Sequence, residues 1–184
     1  LCVASDVKQP TFRHTKYDLY KAQRKPAPED FIVQLPLMKE VLSAMNCLCL
    51  ELSGWEADDI IGTVSRMCEE QEVECRILTG DKDDLQLASD KTVIKLVVTK
   101  MGKTTTTDFG RDEFYEKYGI EPKLFIDAKA LMGDSSDNIP GVRGIGEKTA
   151  LKLLQEYGSV EGIYENIDKI TGATKHKLID GKKE

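Results

Sequence analysis

Apolar residues fall into two rhythms along the chain. Leu37, Val41, Leu42 and Met45 share one helical face that Asn46 is suited to end, and Ile60, Ile61, Val64, Met67 and Cys68 repeat the pattern. Leu1 to Ala4 and Cys47 to Leu52 read as short strands, and Val73, Cys75 and Ile77 alternate into a strand from Cys75 to Thr79. The succession of strand, helix and strand predicts that Cys47–Leu52 and Cys75–Thr79 pair in parallel through a right-handed crossover. Thr92 to Val98 and Lys103 to Thr107, split by Met101-Gly102, have the form of a hairpin or edge excursion. From Arg111 onward the pattern is helical. Pro122 suits a first helical turn, Gly119 and Gly158 suit helix ends, and Lys148 to Tyr157 is amphipathic through Ala150, Leu151, Leu153 and Leu154. The expected fold class is α/β, with a mainly parallel sheet flanked by helices and a helical C-terminal region.

Composition narrows the class without naming a function. With 184 residues, 40% hydrophobic and 32% charged, the chain is sized for one domain or one with a small appendage. No apolar run approaches the ~18 residues of a membrane span and no secretory leader is visible, so a cytoplasmic setting is expected. Cys2, Cys47, Cys49, Cys68 and Cys75 are odd in number, lie among apolar neighbours and lack CxxC spacing, which predicts buried, inert thiols rather than disulfides or a zinc site. Trp55, His14, His176 and the hydroxyl run Thr104 to Thr107 read as structural or solvated.

The distribution of charge changes the picture. The net charge is -6, yet residues 1 to 25 carry Lys8, Arg13, Lys16, Lys21, Arg24 and Lys25 against Asp6 and Asp18, a local +4 that favours phosphate. The acids cluster. Asp6, Glu56 and Asp81 each follow an expected strand, and ligand crevices in open α/β sheets lie beyond the carboxyl ends of strands. Asp58, Asp59, Asp83 and Asp84 flank them, while Asp134 and Asp137 come from the helical half. Carboxylates crowded at one edge repel unless cations are bound, and Mg2+ or Mn2+ takes carboxylate, water and phosphate oxygens. Two such ions about 3.5 to 4 Å apart stabilise the attacking and leaving oxygens of a phosphodiester in an in-line displacement, and they would change -6 to -2. Immediately after Asp137, the run Gly141-Val142-Arg143-Gly144-Ile145-Gly146-Glu147-Lys148 has glycines at spacings of three and two before a helix, as in a helix-hairpin-helix that binds phosphate through backbone N–H groups.

The segments TFRHTKYDLYKAQRKPAPEDF, GWEADDIIGT, RILTGDKDDLQL and ALMGDSSDNIPGVRGIGEKTALKLL together resemble the 5′-nuclease domain of bacterial DNA polymerase I, within the flap endonuclease superfamily. The resemblance runs in register from Val3 to about Lys169. It implies a PIN-like 5′-nuclease core over residues 1–132, with a helical gateway at about 11–30, and a helix-three-turn-helix region over 133–184. It also implies 5′ to 3′ exonuclease and structure-specific flap endonuclease activity in primer and flap removal, in a bacterial, nucleoid-associated setting with a covalently linked polymerase domain. By this resemblance Asp6, Glu56, Asp58 and Asp81 surround one metal and Asp83, Asp134 and Asp137 a second, with Asp59 a further carboxylate of that set. Lys21 and Arg24 are the catalytic cations of the gateway, binding the phosphate being cut, and Arg13 and Tyr20 are their neighbours in the wall. Gly141, Val142, Arg143, Gly144, Ile145, Gly146, Lys148 and Thr149 grip duplex DNA, with a K+ ion on backbone carbonyls. The implied substrates carry 5′ flaps, nicks or forks, including RNA-DNA primer junctions.

The sequence departs from that pattern in places. Ser5 stands where a large apolar residue is usual and Asp84 where a neutral one is. The family begins with a strand ending in another metal-binding Asp, and at Lys182-Lys183-Glu184 the chain stops before the family's last helices. The expectation is an interior fragment that binds forked DNA and cleaves weakly or not at all. The competing reading is a non-catalytic duplex DNA-binding module that uses the glycine turn and the basic segment alone.

Overall fold

The structure, a computed structural model, describes residues 1–182; Lys183 and Glu184, and with them the expectation about the C-terminus, lie outside the described residues. The chain divides into two compact units, Leu1–Val64 and Ser65–Glu184. Among the described residues no helix is long and apolar enough to cross a membrane.

The first unit is built on a short parallel ladder. Strand β1 (Cys2–Ala4) pairs with β2 (Leu48–Leu50), Cys2 opposite Leu48 and Ala4 opposite Leu50. Between them run α1 (Phe12–Lys16), α2 (Glu29–Ile32) and α3 (Gln34–Ala44), with successive turns linking α1 to α2 through the expected gateway. Thr11 caps α1: its backbone N–H donates to His14 Nδ1 at 3.1 Å. That gives His14 a structural use, as expected. The apolar stripe of α3 stays exposed, with Leu37 and Val41 both at 58%, because three-residue strands cannot cover an eleven-residue helix. The partner of β2 also differs from expectation. It is β1, not the strand at Cys75–Thr79, because the segment from Ser5 to Cys47 is as able to supply a parallel crossover as the helix that follows β2.

Helix α4 (Ala57–Glu70) contains the point at which the units divide. In the second unit, β3 (Cys75–Thr79) pairs in parallel with β4 (Thr92–Lys100), which pairs antiparallel with β5 (Lys103–Phe109). The hairpin at Met101-Gly102 forms where expected. Both residues have positive φ, 52° and 74°, as a two-residue turn between twisted strands requires. Thr92, Ile94 and Leu96 are buried at every second position, while Thr104 to Thr107 face solvent on β5. Helices α5 (Arg111–Tyr118), α6 (Phe125–Met132), α7 (Glu147–Tyr157), α8 (Val160–Glu165) and α9 (Gly172–Gly181) follow. Phe114, Tyr118 and Phe125 interlock with ring centroids 4.6 to 5.5 Å apart, and Leu131, Leu154, Ile163 and Leu178 complete an interior that excludes water. The cysteines are unpaired as expected, but not buried: Cys2 is exposed and the other four are half-buried, and the short strands bearing Cys2 and Cys49 are covered incompletely.

The connection from α6 to α7 carries the Asp134–Asp137 segment and leads into the glycine turn. Asp134 and Ile139 exchange N–H to O=C hydrogen bonds at 2.8 Å in both directions, closing a small loop, and the Val142 N–H donates to Leu131 O at 2.8 Å below it. Gly133 and Gly141 stand back to back at the base with φ of 76° and 58°. A Cβ on Gly133 would meet the carbonyl oxygens of Ile139 and Pro140 at 2.6 Å, and one on Gly141 would run into the backbone of Met132 and Gly133. Only glycine satisfies both the conformation and the approach. Gly141→Ala should therefore cost about 3 kcal/mol or more in urea unfolding, whereas Gly146→Ala, with negative φ and nothing within 4 Å, should stay within about 0.5 kcal/mol.

Candidate functional site

The carboxylates singled out from sequence collect in two clusters, one in each unit. In the first, the cluster begins at the N-terminus of α4, where Glu56 precedes the helix and Asp59 lies in its first turn. The Glu56 N–H donates to Asp59 Oδ2 at 2.9 Å, and the Ala57 N–H donates to Asp6 Oδ1 at 2.7 Å, so the free donors of the helix start hold two of the acids. Arg13 on α1 grips Asp59 with both arms, Nη1 to Oδ2 at 2.7 Å and Nη2 to Oδ1 at 2.8 Å. That hydrogen-bonded fork holds the Asp59 carboxyl below its ordinary range and the guanidinium above its own.

Glu56 is buried, and each of its oxygens is engaged. The Tyr20 hydroxyl donates to Oε2 and Lys21 Nζ donates to Oε1, both at 2.9 Å, with Arg13 Nη1 3.8 Å from Oε2. Lys21 reaches this position from a turn in which its own φ is 54°. Four of the residues expected around the reacting phosphate or the metals, Arg13, Tyr20, Lys21 and Glu56, thus form one network in the first unit, and Asp59 joins it. Asp6, Asp58 and Arg24 are exposed.

The second cluster is organised by the turn after β3. The Thr79 hydroxyl accepts from the Asp81 N–H at 3.0 Å, and Asp81 Oδ1 accepts from the Asp83 N–H at 2.9 Å, opening a 3-10 turn over Asp83–Leu87. Opposite lies Asp134, whose Oδ1 accepts the N–H groups of Ser136 at 2.7 Å and Asp137 at 3.3 Å. Lys129 on α6 bridges the two sides. Its Nζ lies 2.5 Å from Asp134 Oδ2 as a hydrogen bond and 2.6 Å from Asp83 Oδ1 as a close ion pair.

The titration behaviour of the three groups follows from one ammonium facing two acids. Burial works against the charge of Asp134, but Lys129 and the backbone N–H groups outweigh it and lower the carboxyl. Burial likewise works against Lys129, and the two carboxylates outweigh it and raise the ammonium. Asp83 is left with the deficit: burial, the largest influence, pushes it up, Lys129 only partly offsets this, and Asp81 and Asp134 add smaller pushes in the same direction as burial. Asp84 is more deeply placed, 2% exposed, with a hydrogen bond from Thr79 and an Oδ2 that has no partner; burial, then Asp81 and Asp83, raise its carboxyl.

Among the described residues no group of three or more His, Cys, Asp or Glu side chains converges in an arrangement that would hold a metal ion. The donor chemistry nevertheless fits a hard divalent cation. The second unit already brings two carboxylate oxygens to within 2.6 Å of one cationic atom, with Asp81 and Asp137 close in sequence, and every donor is oxygen. Lys129 was invisible in the sequence because it sits in the helical run Phe125–Met132, where a lysine reads as a solvated residue. Its sole signal was a cation five positions before Asp134.

The glycine turn is a separate feature of the second unit. Val142 and Ile145 are buried at 7% and 4%, so what they offer to a ligand is backbone rather than side chain. Arg143, Gly144, Gly146 and Lys148 are exposed, Thr149 is half-buried, and Gly146 caps α7. Lys177 of α9, which sequence reasoning also missed, donates to the Gly144 carbonyl at 2.9 Å, placing a cation on the same turn. The turn therefore shows solvent the backbone at Gly144 and Gly146 with cations around it, suited to an anion at the start of an eleven-residue helix.

Two family models account for the whole chain: the 5'-3' exonuclease N-terminal resolvase-like domain over residues 1–119 and the 5'-3' exonuclease C-terminal SAM fold over residues 120–184. The chain is 45% identical over 182 residues to DNA polymerase I of Caldicellulosiruptor bescii, covering 99% of this chain and 21% of that protein. It is 46% identical over 168 residues to the thermostable DNA polymerase I of Thermus thermophilus, covering 91% and 19%. It spans about one fifth of the length of these curated relatives. Among solved structures, T5 5'-exonuclease with bound divalent zinc ions is similar with a TM-score of 0.73 at 25% identity, over 96% of this chain and 68% of that one.

Two stability measurements check the electrostatics. Asp59 is lowered by Arg13, so the pair stabilises the fold above the ordinary aspartate range, and that contribution is lost as pH falls through the lowered value. Arg13→Gln should cost about 1 kcal/mol in thermal melts at pH 7, after allowance for solvent screening, and progressively less in acid. Asp84 has the opposite sign. Its raised carboxyl penalises the ionised folded state, so Asp84→Asn should gain about 1 kcal/mol at pH 7, and the gain should shrink as pH falls through the raised value and be gone below the ordinary aspartate range.

Proposed function

Because the chain belongs to the 5'-3' exonuclease family along its whole length, we propose that it is the nuclease portion of a bacterial-type DNA polymerase I, hydrolysing DNA phosphodiesters from 5′ ends and at 5′ flaps with divalent metal. The observation that carries the reading is the pairing, in one chain, of carboxylate clusters held by tethered cations with an exposed glycine turn that offers backbone to phosphate. Neither feature alone needs nucleic acid as its ligand.

In this reading Asp6, Glu56, Asp58 and Asp59 of the first unit and Asp81, Asp83, Asp134 and Asp137 of the second are metal ligands for two Mg2+ or Mn2+ ions. When bound, such ions supply Lewis-acid stabilisation of charge on the phosphodiester oxygens. The chain's own residues do the positioning. Lys21 and Arg24 bind the phosphate to be cut; Lys21, now hydrogen-bonded to Glu56, exchanges that carboxylate for a phosphate oxygen, and Arg13 and Tyr20 keep Glu56 in place as it does so. Arg143, Lys148 and the backbone of Gly141 to Thr149 hold duplex DNA away from the reacting end, with K+ as an additional ligand of the turn. The core extends to residue 132 and the helix-three-turn-helix occupies 133–184. Substrates are flapped, nicked or forked DNA and primer junctions, the polymerase domain is covalently linked, and the protein acts at the nucleoid in the cytoplasm.

In the full-length gene product, Asp134→Asn and Asp137→Asn should each lower Mg2+-dependent cleavage of a 5′-flap substrate by roughly 100-fold or more, with duplex affinity changed by less than about threefold. Gly144→Ala should do the reverse, weakening binding in fluorescence anisotropy while metal titration is unchanged, because φ there is 82° and a Cβ would also press on Lys177 at 3.1 Å. A purely DNA-binding module would show the Gly144 effect and no cleavage to lose. Equal losses of rate and affinity from the aspartate variants would overturn the metal assignment.

A further inference from the structure

Lys129 occupies the place where two of the proposed metal ligands meet, so a role for it in metal exchange rests on that metal reading. Its Nζ is 2.5 Å from Asp134 Oδ2 and 2.6 Å from Asp83 Oδ1, so one atom closes the gap between the two carboxylates. A divalent ion of the Mg2+ class binds the same oxygens at about 2.0–2.1 Å and cannot share that point with an ammonium.

We propose that Lys129 is a tethered counter-ion: it holds the Asp83 and Asp134 carboxylates together while metal is absent, is displaced when a divalent ion binds, and then presents its ammonium beside the metal ligands to a phosphate oxygen of the substrate. The way the parts are anchored supports this division of labour. Asp134 is fixed by the Ser136 and Asp137 N–H groups and by a loop closed through Gly133 and Gly141. The main chain of Asp83 is held by its N–H bond to Asp81 Oδ1 in the turn after β3. The backbone of Lys129 is fixed as well, since Phe125, Ala128 and Leu131 of α6 are buried. These anchors leave the four-carbon stem of Lys129 as the flexible link, whose head can leave without moving the backbone that carries either carboxylate. Without a cation between them, two carboxylates held this close would repel, so the metal-free fold needs the lysine and the metal-bound state does not. The device also couples two events: ion binding frees a positive charge that DNA backbone then uses.

The test uses the 184-residue chain in the absence of DNA, with Mn2+ as the probe, followed by isothermal titration calorimetry and by electron paramagnetic resonance of the free ion. Lys129→Met should bind Mn2+ at least about tenfold more tightly than the natural chain and should show a larger rise in Tm on Mn2+ addition. Lys129→Gln, which keeps N–H donors between the two acids but no charge, should change affinity in the same direction and guards against a Met variant that folds poorly. In anisotropy with a flapped duplex and Ca2+, both variants should lose part of the metal-dependent gain in DNA affinity. Unchanged or weaker Mn2+ binding in both variants, while Asp134→Asn abolishes binding in the natural chain, would overturn the counter-ion role and leave the metal reading standing. No Mn2+ binding to any form, or binding indifferent to Asp134→Asn, would overturn the metal reading and the counter-ion role with it.

Discussion

Repulsion among like charges is the constraint on which the rest of this protein depends. Each unit holds carboxylates close together, and each compensates with its own cations: Arg13 and Lys21 in the first, Lys129 in the second. These are not solvated surface pairs of negligible value. Glu56 and Asp134 are largely sheltered from water, and Arg13 meets Asp59 through two parallel hydrogen bonds. Removing a cation would leave a sheltered charge uncompensated, which costs more than the pair itself contributes.

The same compensation gives the clusters their chemical character. A carboxylate engaged by an ammonium can exchange that partner for a metal ion or for substrate, because what it needs is positive charge at short range and not a particular donor. On the proposed reading Lys21 on Glu56, and Lys129 on Asp83 and Asp134, are partners of a kind that substrate and cofactor can replace, whereas the Tyr20 hydroxyl on Glu56 and the backbone N–H groups on Asp6, Asp134 and Asp59 keep the acids in position during the exchange. Asp84 lacks such a partner for one oxygen and is the residue at which the second cluster exceeds its supply of compensating groups.

Backbone geometry supplies the precision. Between Met132 and Val142 the chain makes a loop whose base admits no side chain at Gly133 or Gly141, and whose interior positions Asp134 and Asp137 by hydrogen bonds of the loop itself. The glycine turn follows at once, anchored from within by Val142 and Ile145. One short segment therefore carries a set of acids and an exposed glycine turn without internal conflict, since Lys129 of α6 faces the acids and Arg143, Lys148 and Lys177 border the turn.

Much of this was legible before any coordinates. Element types, the hairpin at Met101-Gly102 and the helix ends at Gly119 and Gly158 follow from periodicity and turn chemistry, because burial within one helix or strand is written into neighbouring residues. The partner of β2, the exposed face of α3 and the incomplete burial of the cysteines were not legible, since each depends on what another element covers. Nor was the role of Lys129, or the use of Arg13 to hold Asp59 across 46 positions of sequence. By itself the sequence determined which residues carry charge and which segments form helices and strands. Only the tertiary structure decided which cation answers which carboxylate, because that choice rests on distances of a few ångströms between residues far apart along the chain, which no local pattern records.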